Sequence, residues 1–348
     1  MSAIKQDHAY NLQFDMLRSL AIIAVLIIHS INRNTGYGPV DSFFALVTLL
    51  VRPCIAVFLF LSGALFNINP VNQSKLKNKC LKVIVPYLIF SLFAVYLLYG
   101  TKLFSLTSKD IFQITFDILI GETFGIYYFV FIIVLMYIIG YFLVNNKRLY
   151  QNIIPILLFT LALNTLHTSY GFQLWSAITN NNNIISYSLY GNRSLFLWSC
   201  FFIAGIVYQK YNWQQYINKW RFELRLFWVS IFILYIVLFF SPLPKELIDG
   251  YHSPIGTIYG FSTVFLLLTF SANSSRWKYL SERSYFIYLI HIFFVYGLLG
   301  SIRLLKVAPD AWVSVTSVFF SLSMSIAMYW ICHRVLPPSK RWILGLNR

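Results

Sequence analysis

The chain's most telling stretch is Phe14–Arg33, FDMLRSLAIIAVLIIHSINR, an apolar run with two ionisable residues where a plain membrane anchor carries none. Arg18 lies near its start and His29 eleven residues later. Eleven residues of α-helix turn through about 1100°, so the two side chains share a face to within roughly 20° and stand about 16 Å apart. Ionisable groups at membrane depth cost on the order of 2.5 kcal/mol or more and face a polar interior instead of lipid. A guanidinium that can hold an anion and an imidazole that can move a proton therefore read as the lining of one cavity. Each also has a plainer explanation alone. Arg18 could be a snorkelling anchor, and His29 a packed polar residue bonded to a neighbouring helix. Asp15, three residues before Arg18, is placed for a local ion pair with it.

A second histidine repeats the pattern. In SERSYFIYLIHIFF, Ser284, Tyr288 and His291 fall at i, i+4 and i+7, one helical face with a hydroxyl, a phenol and an imidazole. Lys79 and Lys82 stand one turn apart before Val83–Pro86, as anchors or as a phosphate contact. Glu122, near Tyr127 and Tyr128, reads equally as a solvated carboxylate or as a base or sugar ligand. His8, His167, His252 and His333 lie outside or at the ends of apolar runs and read as surface or interface residues. The four cysteines, Cys54, Cys80, Cys200 and Cys332, form no Cys-x-x-Cys pair and read as small buried hydrophobes, so neither a disulfide nor a metal site is expected. No phosphate-cradling glycine loop, His-Glu-x-x-His pair or Gly-x-Ser-x-Gly elbow occurs, which removes sequence support for hydrolases and nucleotide-driven machines.

These residues need a membrane scaffold, and the composition supplies one. Of 348 residues, 58% are hydrophobic, 19% aromatic and only 11% charged, against about a quarter charged in soluble domains. The fold class is an all-α integral membrane protein, a single domain over 1–348. Apolar spans fall at roughly 15–33, 53–68, 81–99, 124–144, 150–167, 194–209, 224–240, 255–271, 285–302 and 312–332, a bundle of about ten. The first is read as an uncleaved span, not a signal peptide. The net charge of +16 reflects basic loops retained in the cytoplasm and implies no nucleic-acid partner; the gathering of 19 of the 27 basic residues on one side places both termini inside, with 334–348 a short basic tail. Residues 100–123 read as an amphipathic helix on the outer surface. The polar segment 168–193, with Asn180–Asn183, Tyr187 and Tyr190, reads as a hydrated loop or a sugar-facing lid.

The motifs together resemble the acyltransferase-3 family of membrane acyltransferases. Asp15, Arg18 and His29 match its first-span signature, Ser62 and Gly63 close its aromatic-rich run in FLFLSGALF, and Ser284–His291 matches its late-span pattern. The order and spacing also agree, and the likeness thins over spans five to eight. The chain departs from the family where a frequent Arg-x-x-Arg reads Lys79-Cys80-Leu81-Lys82 and where a tryptophan-rich start reads Tyr127-Tyr128-Phe129; the esterase-like domain that some relatives carry is not expected here. The resemblance implies transfer of an acyl group, commonly acetyl, from acetyl-CoA or another acyl-CoA to a glycan or lipid-linked saccharide, at a bacterial inner membrane. Arg18, Lys79 and Lys82 would receive the anionic end of coenzyme A and His29 would act as base or acyl carrier, with Ser62, Tyr288 or His291 steadying the oxyanion. A polysaccharide exporter or flippase with the same cavity is the alternative reading, and a non-catalytic scaffold a third.

Overall fold

A computed structural model describes residues 12–31, 39–66, 72–100, 105, 107–181, 191–243, 251–272, 274–304 and 311–346, and among these every regular element is helical. In chain order they are α1 Leu12–Ile31, α2 Pro39–Val51, α3 Cys54–Ala64, α4 Gln73–Tyr99, α5 Ser108–Ile120, α6 Tyr128–Asn145, α7 Lys147–Gln151, α8 Ile153–Thr179, α9 Leu195–Lys210, α10 Gln214–Lys219, α11 Arg221–Phe239, α12 Pro254–Leu268, α13 Arg276–Leu304 and α14 Ala311–Val335, followed by the 3-10 turn Pro338–Leu344. The protein is a multi-pass membrane bundle. Among the described residues eight helical stretches are long and apolar enough to cross a bilayer, while α9 and α12 are apolar but shorter.

Three boundaries differ from the sequence reading. The second span begins at Ser42, not Pro53, because helix lies on both sides of the Arg52–Pro53 turn and the two halves make one crossing. Helix α8 runs on through residues read as loop, as far as Thr179. Its polar residues do not break it: Thr168, Ser176 and Thr179 return their hydroxyls to the carbonyls of Asn164, Gln173 and Trp175. Asn180 then ends it in a left-handed conformation, φ 52°. Tyr187 and Tyr190 lie outside the described residues. Among the described residues of 100–123 the α-helical part is α5. It is opened by a reciprocal Thr107–Asp110 capping box that holds the Asp110 carboxyl below its usual range, and closed at Gly121, φ 74°. Its Ile111, Phe112, Phe116 and Leu119 are exposed and Ile114 is buried.

The core forms around α9. Every residue from Leu197 to Tyr208 is buried, the pattern of a helix surrounded on all sides. It crosses α3 at backbone contact. A Cβ on Gly63 would stand 1.9 Å from the Phe202 carbonyl oxygen, and one on Gly205 would stand 2.0 Å from that of Phe60. Small residues that let backbones touch are how membrane helices associate without a hydrophobic driving force. Helix α3 thus becomes a fixed partition, with α1 and α13 on one side and α8, α9 and α12 on the other. By contrast α11 buries only Tyr235.

Candidate active site

Helices α1 and α13 run side by side in the same direction, and two contacts join them like rungs. At the lower rung Arg18 Nη1 donates to Ser281 Oγ at 3.4 Å. At the upper rung the rings of His29 and His291 face each other with centroids 5.5 Å apart. Ser19 Oγ, which donates to the Trp277 carbonyl at 2.8 Å, fixes the register from below. Eleven residues on α1 and ten on α13 separate the rungs, about 15–16 Å on each helix. The two histidines, about 260 residues apart in the chain, are therefore neighbours.

His291 is fully buried. Its Nδ1 points at the carbonyls of Tyr288, 2.8 Å, and Ile287, 3.1 Å. Carbonyl oxygens only accept, so Nδ1 carries the proton and the lone pair of the neutral ring sits on Nε2. His29 is half-buried. The pair thus sets one imidazole, oriented by the backbone, beside a second that is only half-buried.

The remaining predicted residues separate into several places. Lys79 turns inward, half-buried over the rings of Phe66, 4.5 Å, and Tyr137, 5.6 Å, and Arg18 stands within electrostatic reach of the same Tyr137. Lys82 is exposed, so the two lysines do not act on one face. The expected Asp15–Arg18 pair does not form. Asp15 is buried, Arg18 reaches across to α13 instead, and Asp15 Oδ2 has no hydrogen-bond partner among the described residues. Ser62 is half-buried near the lower end of α3, on the level of Arg18 rather than of His29. Ser284 donates to the Ser281 carbonyl at 2.8 Å within its own helix.

The two tyrosines serve as clamps. Tyr288 donates its hydroxyl to the Ile126 carbonyl and Tyr127 donates to that of Leu289, tying α13 to the segment before α6. With its proton so engaged, Tyr288 is a wall residue and not the oxyanion donor. Its ring lies 6.3 Å from His291 and 5.7 Å from Phe129, closing the upper rung on that side. Glu122 is half-buried and already engaged. It forms an ion pair with Arg193, whose Nε also donates to the Ile120 carbonyl at 2.7 Å. Burial pushes the Glu122 carboxyl up and the Arg193 charge pulls it back.

Beyond α3 lies a constellation that the sequence reading passed over. His167 and His252, expected at the surface, are half-buried with ring centroids 6.0 Å apart. His252 Nε2 meets Asn192 Oδ1 at 3.0 Å, and the Asn192 carbonyl accepts from Trp198 Nε1 at 2.7 Å. Arg52 Nη1 donates to the Tyr235 hydroxyl at 3.2 Å, and its own carbonyl accepts from Tyr251 at 2.8 Å. Beneath them Asn164 joins Thr257 Oγ1, 2.9 Å, to the Leu197 carbonyl, 2.8 Å. The available signal was the interruption of two apolar spans at Arg52-Pro53 and Asn192-Arg193. His8 lies outside the described residues.

A family model described as an acyltransferase domain, Acyl_transf_3, matches residues 11–334. That is nearly the whole chain, and the protein belongs to this acyltransferase family. No curated protein and no solved structure shows a significant match.

Proposed function

We propose that this acyltransferase-3 chain is a membrane O-acyltransferase that moves an acyl group, acetyl in the first instance, from a cytoplasmic acyl-CoA to a hydroxyl of an envelope polysaccharide or its lipid-linked precursor. The reading rests on the juxtaposition of His29 and His291 directly above Arg18 on one pair of helices. The lower ends of the helices carry Lys75, Lys77, Lys147, Arg148, Lys210, Lys219, Arg276 and Lys278, which supports a cytoplasmic lower end, both termini inside and a bacterial inner-membrane location. With α9 and α12 counted as crossings, the bundle has ten spans.

In this mechanism Arg18 and Lys79 receive the phosphates of coenzyme A at the lower rung. The pantetheine arm then extends upward by about 16 Å, the rise of eleven helical residues, and brings the thioester to His29. The neutral imidazole takes the proton of the attacking hydroxyl, the oxygen adds to the thioester carbonyl and the C–S bond breaks. Coenzyme A leaves as a thiolate and regains the proton from the imidazolium. His291, with Nδ1 fixed by two carbonyls, holds the partner ring in place and shares the charge.

Sealed membranes supplied with labelled acetyl-CoA on the cytoplasmic side test the reading. Label enters a glycan in the wild type and is lost in His29→Ala at equal expression. Label that persists in His29→Ala removes the base. No label from acetyl-CoA, with glycan export still dependent on the protein, makes the chain an exporter.

A further inference from the structure

We infer that the lower ends of α13 and α14, with the turn that follows them, form a binding site for the headgroup of an anionic phospholipid. Helix α13 is 29 residues long and α14 is 25, about 43 and 37 Å, against roughly 30 Å of hydrocarbon. Their lower turns therefore reach the headgroup layer. The site is built around Arg283. Its guanidinium carbon lies 3.7 Å from the centre of the Tyr279 ring, 4.6 Å from that of Tyr329 and 5.3 Å from that of Trp330. Trp330 Nε1 donates to the Tyr279 hydroxyl at 2.9 Å, which ties two walls of this cage together. Aromatic faces hold an arginine in place but leave the N–H groups at its edge in need of acceptors. Nη1 donates to the Tyr279 carbonyl at 2.5 Å, and Nε is buried without an acceptor. Among the described residues no carboxylate forms an ion pair with Arg283, which leaves Nη2 to meet an anion.

A second guanidinium converges on the same place. Arg341, in the turn Pro338–Leu344, donates through Nε to the Leu336 carbonyl at 3.3 Å. With Arg283 it stands within electrostatic reach of both Tyr329 and His333, whose rings stack at 5.7 Å. Glu282 also reaches Tyr329, but it lies 3.9 Å from Lys278, and Arg334 and Lys340 add exposed positive charge. A phosphate relieves such a gathering of like charge, because it takes guanidinium N–H groups in pairs and has only acceptors to offer. The surroundings decide what carries that phosphate. Ile331 and Val335 are 56% and 75% exposed and lie one turn apart on the face of α14 next to Trp330, where acyl chains begin. A phosphate fixed to acyl chains fits both parts, as in the basic pockets between membrane helices that recognise anionic lipids. The inference goes beyond the acyltransferase reading and does not depend on it.

Lipid retention by the full-length protein tests it. The protein, purified in detergent, is titrated with dioleoylphosphatidylglycerol or dioleoylphosphatidylcholine, and bound lipid is followed by native mass spectrometry. Phosphatidylglycerol is expected to bind about tenfold or more tightly than phosphatidylcholine. Arg283→Gln and Arg341→Gln are each expected to weaken it about 10–100-fold, one lost charge-assisted hydrogen bond. Arg341→Gln keeps the test open where Arg283→Gln does not fold. The double variant Arg334→Gln with Lys340→Gln removes two charges outside the cage and is expected to bind like the wild type. Equal loss in that variant would reveal diffuse charge and overturn the site, as would equal binding of the two lipids. Displacement of the lipid by inorganic phosphate or by acetyl-CoA would assign the cage to a soluble ligand and overturn it as well.

Discussion

Two histidine pairs, one joining α1 to α13 and one joining α8 to the residues just before α12, differ in their surroundings. His29 and His291 lie on continuous helices, their rings 5.5 Å apart, and a cationic rung stands below them. His167 and His252 are 6.0 Å apart where helices start inside the bundle, among an amide, phenols and a closed ion pair. The first pair has the geometry to move a proton. The second is closed on its own surroundings, with His252 Nε2 held by Asn192 Oδ1 at 3.0 Å. Between them runs α3, held at backbone contact with α9 by the Gly63–Gly205 crossing.

The sharpest way to break the comparison is to exchange its members. His29→Ala is expected to lower acyl transfer about 10²–10⁴-fold, the usual worth of a general base, whereas His252→Ala is expected to change it far less; steady-state rates at saturating acetyl-CoA separate the two. The partition itself is tested by Gly63→Ala. A methyl there meets the Phe202 backbone, which cannot turn aside as a side chain could. The variant is expected to lose more than the 1–3 kcal/mol typical of overpacking (about that range,) and to fail to accumulate in the membrane. Gly297→Ala, where a Cβ meets nothing within 4 Å, is expected to accumulate normally.

Smaller effects sharpen the division between the regions. Arg18→Ala is expected to raise the acetyl-CoA half-saturation about 10–100-fold, in line with roughly 1.5–3 kcal/mol for a charge-assisted hydrogen bond, and to leave the acceptor half-saturation unchanged. Arg18→Lys restores part of it, since charge returns without the planar fork. Glu122→Gln leaves Arg193 half-paired and is expected to cost about 1–3 kcal/mol, seen as a lower unfolding midpoint in detergent with wild-type donor affinity.

The α1 half of this account was legible in the chain because helical periodicity needs only one helix: Arg18 and His29 share a face wherever that helix packs. The Ser284–His291 face was legible for the same reason, but its neighbour was not. The meeting of His29 with His291 depends on a parallel register between distant helices, which no local pattern encodes. Tyr288 looked like an oxyanion donor until its proton was found on the Ile126 carbonyl, and Glu122 looked like a base until Arg193 closed on it. The second pair was missed for a different reason. His167 and His252 stand where apolar runs stop, and the end of an apolar run reads as the membrane surface. Here two helices are short, so their ends lie at bilayer depth. Arg52-Pro53 and Asn192-Arg193 carried that information as interruptions, and α8 hid it by staying helical through a polar stretch.

The central claim is that His29 and His291 act as one unit, and a double-mutant cycle tests it most directly. Acyl transfer from labelled acetyl-CoA would be measured for the wild type, His29→Ala, His291→Ala and the double variant at equal membrane abundance. The account predicts strong non-additivity, with the double variant scarcely slower than His29→Ala. Losses that multiply, each variant costing the same whether or not the other is present, would show two independent residues and contradict it.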